Sequence, residues 1–185
     1  MFGGRCIKYL VVYVFSTENW NRSEEEVSYL MKLLYDAFAD REIAWAHEHG
    51  VRVRVAGSRA RLPLDTVARI AKIEEETVSN NKLTLVYALN YGGRDEIVEA
   101  VNKLLSEKKQ SVTKEAFAEY LWTKDMPDPD MIIRTSGEHR LSNFLPWQSV
   151  YSELFFPDFY FPDFTKEKLE ELLAEYAARH RRFGK

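Results

Sequence analysis

Cysteine is almost missing from this chain. Cys6 is the single cysteine among 185 residues. That excludes an intrachain disulfide and any zinc site built from cysteines. Long apolar runs are missing too, and no stretch approaches the roughly 20 apolar residues of a membrane-spanning helix. Neither sign of charge dominates. The formal net charge of -3 argues against a general nucleic-acid surface. Met1–Arg5 lacks the apolar core of a secretory signal, so the expected compartment is the cytoplasm, with at most peripheral membrane contact. Internal repeats and low-complexity linkers are absent as well.

What is present is an ordinary globular composition, 45% apolar and 30% charged. At this length one domain over residues 1–185 is expected. Strand and helix patterns alternate, which predicts an α/β fold with a mostly parallel central sheet flanked by helices. Tyr9–Phe15 is apolar and β-branched, and reads as a fully buried strand. Ser23 and Glu26 have the spacing of a capping box. They open a helix expected to run unbroken from Glu24 to His49, where Gly50 ends it. Val51–Ala56 alternates apolar and basic residues and reads as an edge strand. Pro63 starts a further helix. Leu83–Leu89 reads as a strand, and Asp95–Leu105 as a helix after it. Met131–Ile133 reads as a short buried strand. Phe155–Phe164 interrupts its aromatics with Pro-Asp pairs, which suggests a loop packed on the sheet or in a subunit interface. Thr165 caps a last helix.

Three polar clusters follow three of these strands. Ser16-Thr17-Glu18-Asn19-Trp20-Asn21-Arg22 follows the first. Asn90-Tyr91-Gly92-Gly93-Arg94 follows Leu83–Leu89. Arg134-Thr-Ser-Gly-Glu138-His139-Arg140-Leu141-Ser142-Asn143 follows Met131–Ile133. Open parallel sheets bind ligands beyond the carboxyl ends of their strands. Arginine grips phosphate oxygens with a planar fork of donors, so two arginines with serines suit a diphosphate. Each motif also has a plainer reading. Glu138 can pair with an arginine, Trp20 can be core packing, Glu26 can be a helix cap, and His139 can be a surface histidine.

These motifs, with Pro146-Trp-Gln148, Tyr151-Ser-Glu153 and the terminal Arg-Arg-Phe-Gly, resemble those of the cis-prenyltransferases, along essentially the whole chain. Bacterial undecaprenyl diphosphate synthases are the nearest likeness within that family. The resemblance implies Z-selective elongation, in which isopentenyl diphosphate is added repeatedly to an allylic diphosphate such as farnesyl diphosphate. It implies that Arg134, Arg140, Leu141 and Ser142 bind isopentenyl diphosphate. Ser16, Thr17, Glu18, Trp20 and Arg22 would line the allylic side. Glu153 would help hold magnesium. Asn19 stands where the family places proton removal. An amide is a poor base, so positioning of the substrate is an equal reading. A homodimer is implied, with Arg182 and Gly184 reaching the partner's site. An apolar tunnel for the growing chain is expected along the 24–49 helix and beside Val12 and Leu85.

One departure is large. The family's opening strand, with its Asp-Gly-Asn-Gly-Arg-Trp-Ala type of motif, has no counterpart, and no Asp-Gly or Gly-Asn pair occurs. That region supplies an aspartate for magnesium and a glycine-rich cradle. The chain is therefore expected to be truncated at its N-terminus relative to the family, to lack its first strand, and to be inactive alone. The alternatives are a non-catalytic prenyltransferase-like subunit and an anion-binding fragment.

Overall fold

The structure is a computed structural model, and it describes residues 7–179. They form two compact units, one within residues 7–126 and one within 127–179. Every strand pairing among the described residues is parallel. This is the α/β architecture that the alternating pattern predicts.

The first unit holds a three-stranded sheet in the order β1 (Tyr9–Ser16), β3 (Leu83–Tyr91), β2 (Val51–Ala56). Successive side chains of a strand point to opposite faces. Leu83, Leu85, Tyr87 and Leu89 of β3 therefore share one face with Val51, Val53 and Val55 of β2, in the main apolar core. Val86 and Ala88 face the other way and are fully buried. The core side is closed by α1 (Glu24–Ala37), α2 (Asp40–His49) and α3 (Leu64–Glu76). Gly93–Ser106 forms α4, and Thr113 caps the short α5 (Lys114–Ala118) through its hydroxyl.

Two expectations need correction. Tyr9–Ser16 is a strand, but among the described residues it pairs only with β3. Phe15 is its one fully buried residue, while Tyr9 and Leu10 are 38% and 46% exposed. An apolar composition signals burial in general but cannot say whether both edges find partners. The expected 24–49 helix is two helices. The chain breaks at Phe38 and Ala39, whose φ/ψ leave the helical region, and α2 restarts at Asp40. The break sends Phe38 into the core, 1% exposed and edge-on to Tyr87 at 5.4 Å. Burying that ring outweighs two intrahelical hydrogen bonds, each worth about 1 kcal/mol net. Val51–Ala56 does lie at the sheet edge, and Gly50 ends α2 at φ 68.

The second unit pairs β4 (Met131–Ile133) with β5 (Glu153–Phe155), a strand the sequence pattern does not announce. Of β4 only Ile132 is buried. The helix α6 (Lys166–Ala178) starts at Thr165, whose hydroxyl accepts from the Lys168 amide. Among the described residues no helix is long and apolar enough to cross a membrane.

Candidate functional site

Parallel pairing puts the residues after β1 and β3 at one end of the first sheet. Thr17–Asn21 forms a 3₁₀ turn directly after β1. Asn19 folds back across it, its Oδ1 accepting from the Ser16 amide at 2.8 Å. Its Nδ2 donors have no partner among the described residues. An amide whose oxygen is engaged and whose N–H groups are free can offer donors to a ligand, and an amide is too weak a base to take up a proton near neutral pH.

The Thr17 hydroxyl reaches Asp95 at 2.9 Å, tying the turn to the start of α4. Trp20 is half-buried. Its indole N–H donates to Asn90 Oδ1 at 2.7 Å, Phe15 meets it edge-on at 5.0 Å, and Arg61 lies 4.3 Å over its ring. Arg22 pairs with Glu26 at 2.5 Å, while the Ser23 hydroxyl accepts from the Glu26 amide. Half of the capping box forms, and the Glu26 carboxylate turns to the arginine instead. Thr17, Trp20, Ser58, Arg61, Asn90 and Trp122 line an open groove of about 470 Å³. Burial, and then the Glu18 carboxylate, push the Tyr13 hydroxyl up to about 12. That hydroxyl stays protonated and donates to the Tyr91 carbonyl at 3.0 Å.

In the second unit the 134–145 loop follows β4. Its Ser136, Gly137, Ser142, Asn143 and Leu145 all have positive φ. The loop is pinned to 155–159 by backbone bonds: Arg134 to Phe155, Ser136 to Phe159 and Gly137 to Pro157. A side chain at Gly137 would meet the Asp158 carboxylate at 2.8 Å, so glycine permits this approach. Arg134 Nη1 donates to the Arg140 carbonyl at 2.9 Å and to Ser142 Oγ at 2.7 Å. The loop thus gathers Arg134, Arg140 and Ser142, with Leu141 half-buried between them. Glu138 pairs with Arg140, the plain reading of that carboxylate. His139 stacks on Phe156 at 4.9 Å.

Glu153 stands at the start of β5. Its Oε2 accepts from Arg179 at 2.8 Å, and Arg179 also pairs with Glu175 at 2.6 Å. The Glu153 carboxylate, and then Glu175, hold the Arg179 guanidinium above its ordinary range. Magnesium wants several oxygen donors in near-octahedral order. Among the described residues no three His, Cys, Asp or Glu gather to hold a metal. With Glu153 given to Arg179, the described residues do not fit the magnesium that the resemblance implies. Arg182 and Gly184 lie outside the described residues.

Sequence reasoning passed over three partners: Asp95, Asn90 as the acceptor for Trp20, and Arg179. Asp95 and Asn90 flank a Gly-Gly motif already singled out. Arg179 gave no signal, because its partner lies 26 positions away.

Comparison with known proteins shows the family. A family model described as "Putative undecaprenyl diphosphate synthase" matches residues 4–184. The isoprenyl transferase of Thermotoga maritima is 48% identical over 182 residues, which span 96% of this chain and 78% of that protein. A Micrococcus luteus ditrans,polycis-undecaprenyl-diphosphate synthase, specific for (2E,6E)-farnesyl diphosphate, is 48% identical over 96% of this chain and 74% of its own length. The crystal structure of lavandulyl diphosphate synthase from Lavandula x intermedia, with dimethylallyl diphosphate, superposes with a TM-score of 0.90. It is 32% identical, covering 97% of this chain and 80% of that one. The chain therefore belongs to the cis-prenyltransferase family, enzymes of prenyl transfer in isoprenoid biosynthesis.

Proposed function

We propose that this chain serves Z-selective prenyl elongation, condensing isopentenyl diphosphate with an allylic diphosphate such as farnesyl diphosphate. The product would be a long polyprenyl diphosphate of the undecaprenyl type used as a cell-wall lipid carrier, made in the cytoplasm. The observation that carries the reading is the 134–145 loop. It brings the Arg134 guanidinium onto Ser142 and onto the backbone of Arg140.

In this proposal Arg134, Arg140 and Ser142 hold the isopentenyl diphosphate by charge-assisted hydrogen bonds, with Leu141 between them. Ser16, Thr17, Glu18, Trp20 and Arg22 form the allylic side. Asn19 directs its free Nδ2 donors at the substrate, and the departing diphosphate is the stronger base for the released proton. Glu153 is the carboxylate assigned to magnesium, and it becomes available only when Arg179 lets go. The partner is a second copy of the chain. Tyr160 and Phe161, 67% and 70% exposed, offer it an apolar surface.

Calorimetric titration with isopentenyl diphosphate tests the assignment. Arg134→Ala and Arg140→Ala should each weaken binding at least tenfold while unfolding is little changed. Equal affinity in the wild type and both variants would overturn it.

The 185 residues alone are expected not to turn over, since their described part gathers no metal-binding carboxylate set. The engagement of Glu153 by Arg179 equally favours a second reading, a non-catalytic prenyltransferase-like subunit. Incorporation of radiolabelled isopentenyl diphosphate with farnesyl diphosphate and magnesium decides the point. Sustained long-chain product would refute both the expected inactivity and the subunit reading.

A further inference from the structure

Asn90, the penultimate residue of β3, is left-handed, φ 48, and is only 3% exposed. Left-handed backbone is uncommon outside glycine, although asparagine tolerates it better than most residues. Every polar group at its side-chain end is used. Oδ1 accepts the Trp20 indole N–H at 2.7 Å. Nδ2 donates to the Ser58 carbonyl at 3.0 Å and to the Ala60 carbonyl at 2.8 Å. An indole N–H can only donate and a carbonyl can only accept, so these partners fix which end of the amide is which. Its own carbonyl accepts from the Ser58 amide at 3.2 Å. One buried side chain therefore bolts the 3₁₀ turn after β1 to the loop after β2.

Two features make this a built joint. Gly57, at φ 134, lets that loop press against β3, where a side chain would fall 1.9 Å from the Leu89 carbonyl. Arg61, itself left-handed at φ 67, closes over the Trp20 ring at 4.3 Å. Trp20 is thus fixed at its N–H by Asn90, packed in a T-shaped pair with Phe15 and covered by Arg61. Asn19, the residue with free Nδ2 donors, is its immediate neighbour in the turn.

We propose that Asn90 is a positioning residue for the allylic side. It holds Trp20, and through Trp20 the Ser16–Asn21 turn, in the geometry that receives the diphosphate. This rests on the allylic reading given above. Asn90 acts through another side chain and touches no substrate.

The test uses the full 185-residue chain and three variants. Asn90→Gly keeps the left-handed backbone and removes the joint. Asn90→Asp keeps the acceptor for Trp20 but sets a carboxylate oxygen against two carbonyls. Trp20→Phe keeps a ring and removes the donor. Hydrogen exchange of the Trp20 indole N–H, followed by NMR, reads the joint without any ligand. Farnesyl diphosphate titration reads its consequence.

The expected result is loss of Trp20 N–H protection in Asn90→Gly and Asn90→Asp. Allylic affinity should fall about tenfold in Asn90→Gly and in Trp20→Phe, and no further in the double variant, because both remove one joint. Retained N–H protection in Asn90→Gly overturns the proposal. So does unchanged affinity once protection is lost, or an additive double variant. A wild-type chain without farnesyl diphosphate affinity overturns the allylic reading instead, and the indole exchange tells that failure apart from failure of the joint.

Discussion

Replacing Arg179 with glutamine should both destabilise the second unit and set Glu153 free. Arg179 makes a 2.8 Å pair with Glu153, a 2.6 Å pair with Glu175 four residues earlier, and a cation–π contact 3.9 Å over Phe155. The side chains of Arg179 and Glu153 are 34% and 28% exposed, so the pair is partly screened and contributes about 1 kcal/mol. The helical pair adds about 0.3–0.5 kcal/mol and the ring contact about 0.5–1 kcal/mol. Urea denaturation should therefore show a loss of about 2 kcal/mol, with Tm lower by roughly 4–8 °C for a chain of this size. Magnesium supplies the second readout. In the wild type the Glu153 carboxylate is engaged, so millimolar magnesium should leave Tm unchanged. Freeing one carboxylate does not complete an octahedral oxygen site, so in Arg179→Gln magnesium should leave Tm unchanged as well. Arg179→Lys keeps the charge but loses the fork, and should fall between the two in stability. A wild-type Tm that climbs with magnesium would refute the reasoning, as would a destabilisation below about 0.5 kcal/mol.

Three further outcomes follow from the same contacts. Tyr13 is pushed up to about 12 and Tyr87 is also raised by burial, so both stay protonated in the folded chain beyond the ordinary tyrosine range near 10. The folded state then binds more protons than the unfolded one between pH 10 and about 12, and the stability this gives is lost as pH rises through that window. Absorbance at 295 nm should show late-titrating tyrosines that join the early ones after unfolding. Phe38→Ala should cost about 3–5 kcal/mol in urea, since it empties the position that splits α1 from α2; a cost near 1 kcal/mol would mean the core closes over the gap. Sedimentation at micromolar concentration should give a dimer that Phe161→Glu dissociates, and a monomeric wild type would count against the proposed second copy.

Much of the fold is legible in the chain because local signals and tertiary structure agree. Gly50, Thr165 and the alternation in Val51–Ala56 each act through their own backbone or their own face, so spacing alone reveals them. The break at Phe38 was not legible. No glycine or proline marks it, and the cause is a ring drawn into the core against Tyr87, a residue 49 positions on. The half-exposed edge of β1 was hidden for the same reason, since composition reports apolarity and partners decide burial. In the candidate site the arginine and serine motifs announced themselves by residue type. What the sequence left open was how those groups are engaged: Glu138 on Arg140, Glu153 on Arg179, and Asn19 Oδ1 on its own turn. Each is a choice among several chemically suitable partners, and only geometry makes it.

The central claim is that the loop after β4 seats the diphosphate of isopentenyl diphosphate. A crystal structure of the chain with isopentenyl diphosphate tests it most directly. The account predicts diphosphate oxygens within hydrogen-bond reach of both the Arg134 and Arg140 guanidinium groups, with the Ser142 hydroxyl as a further donor. A diphosphate bound elsewhere, with both arginines turned to solvent, would contradict it.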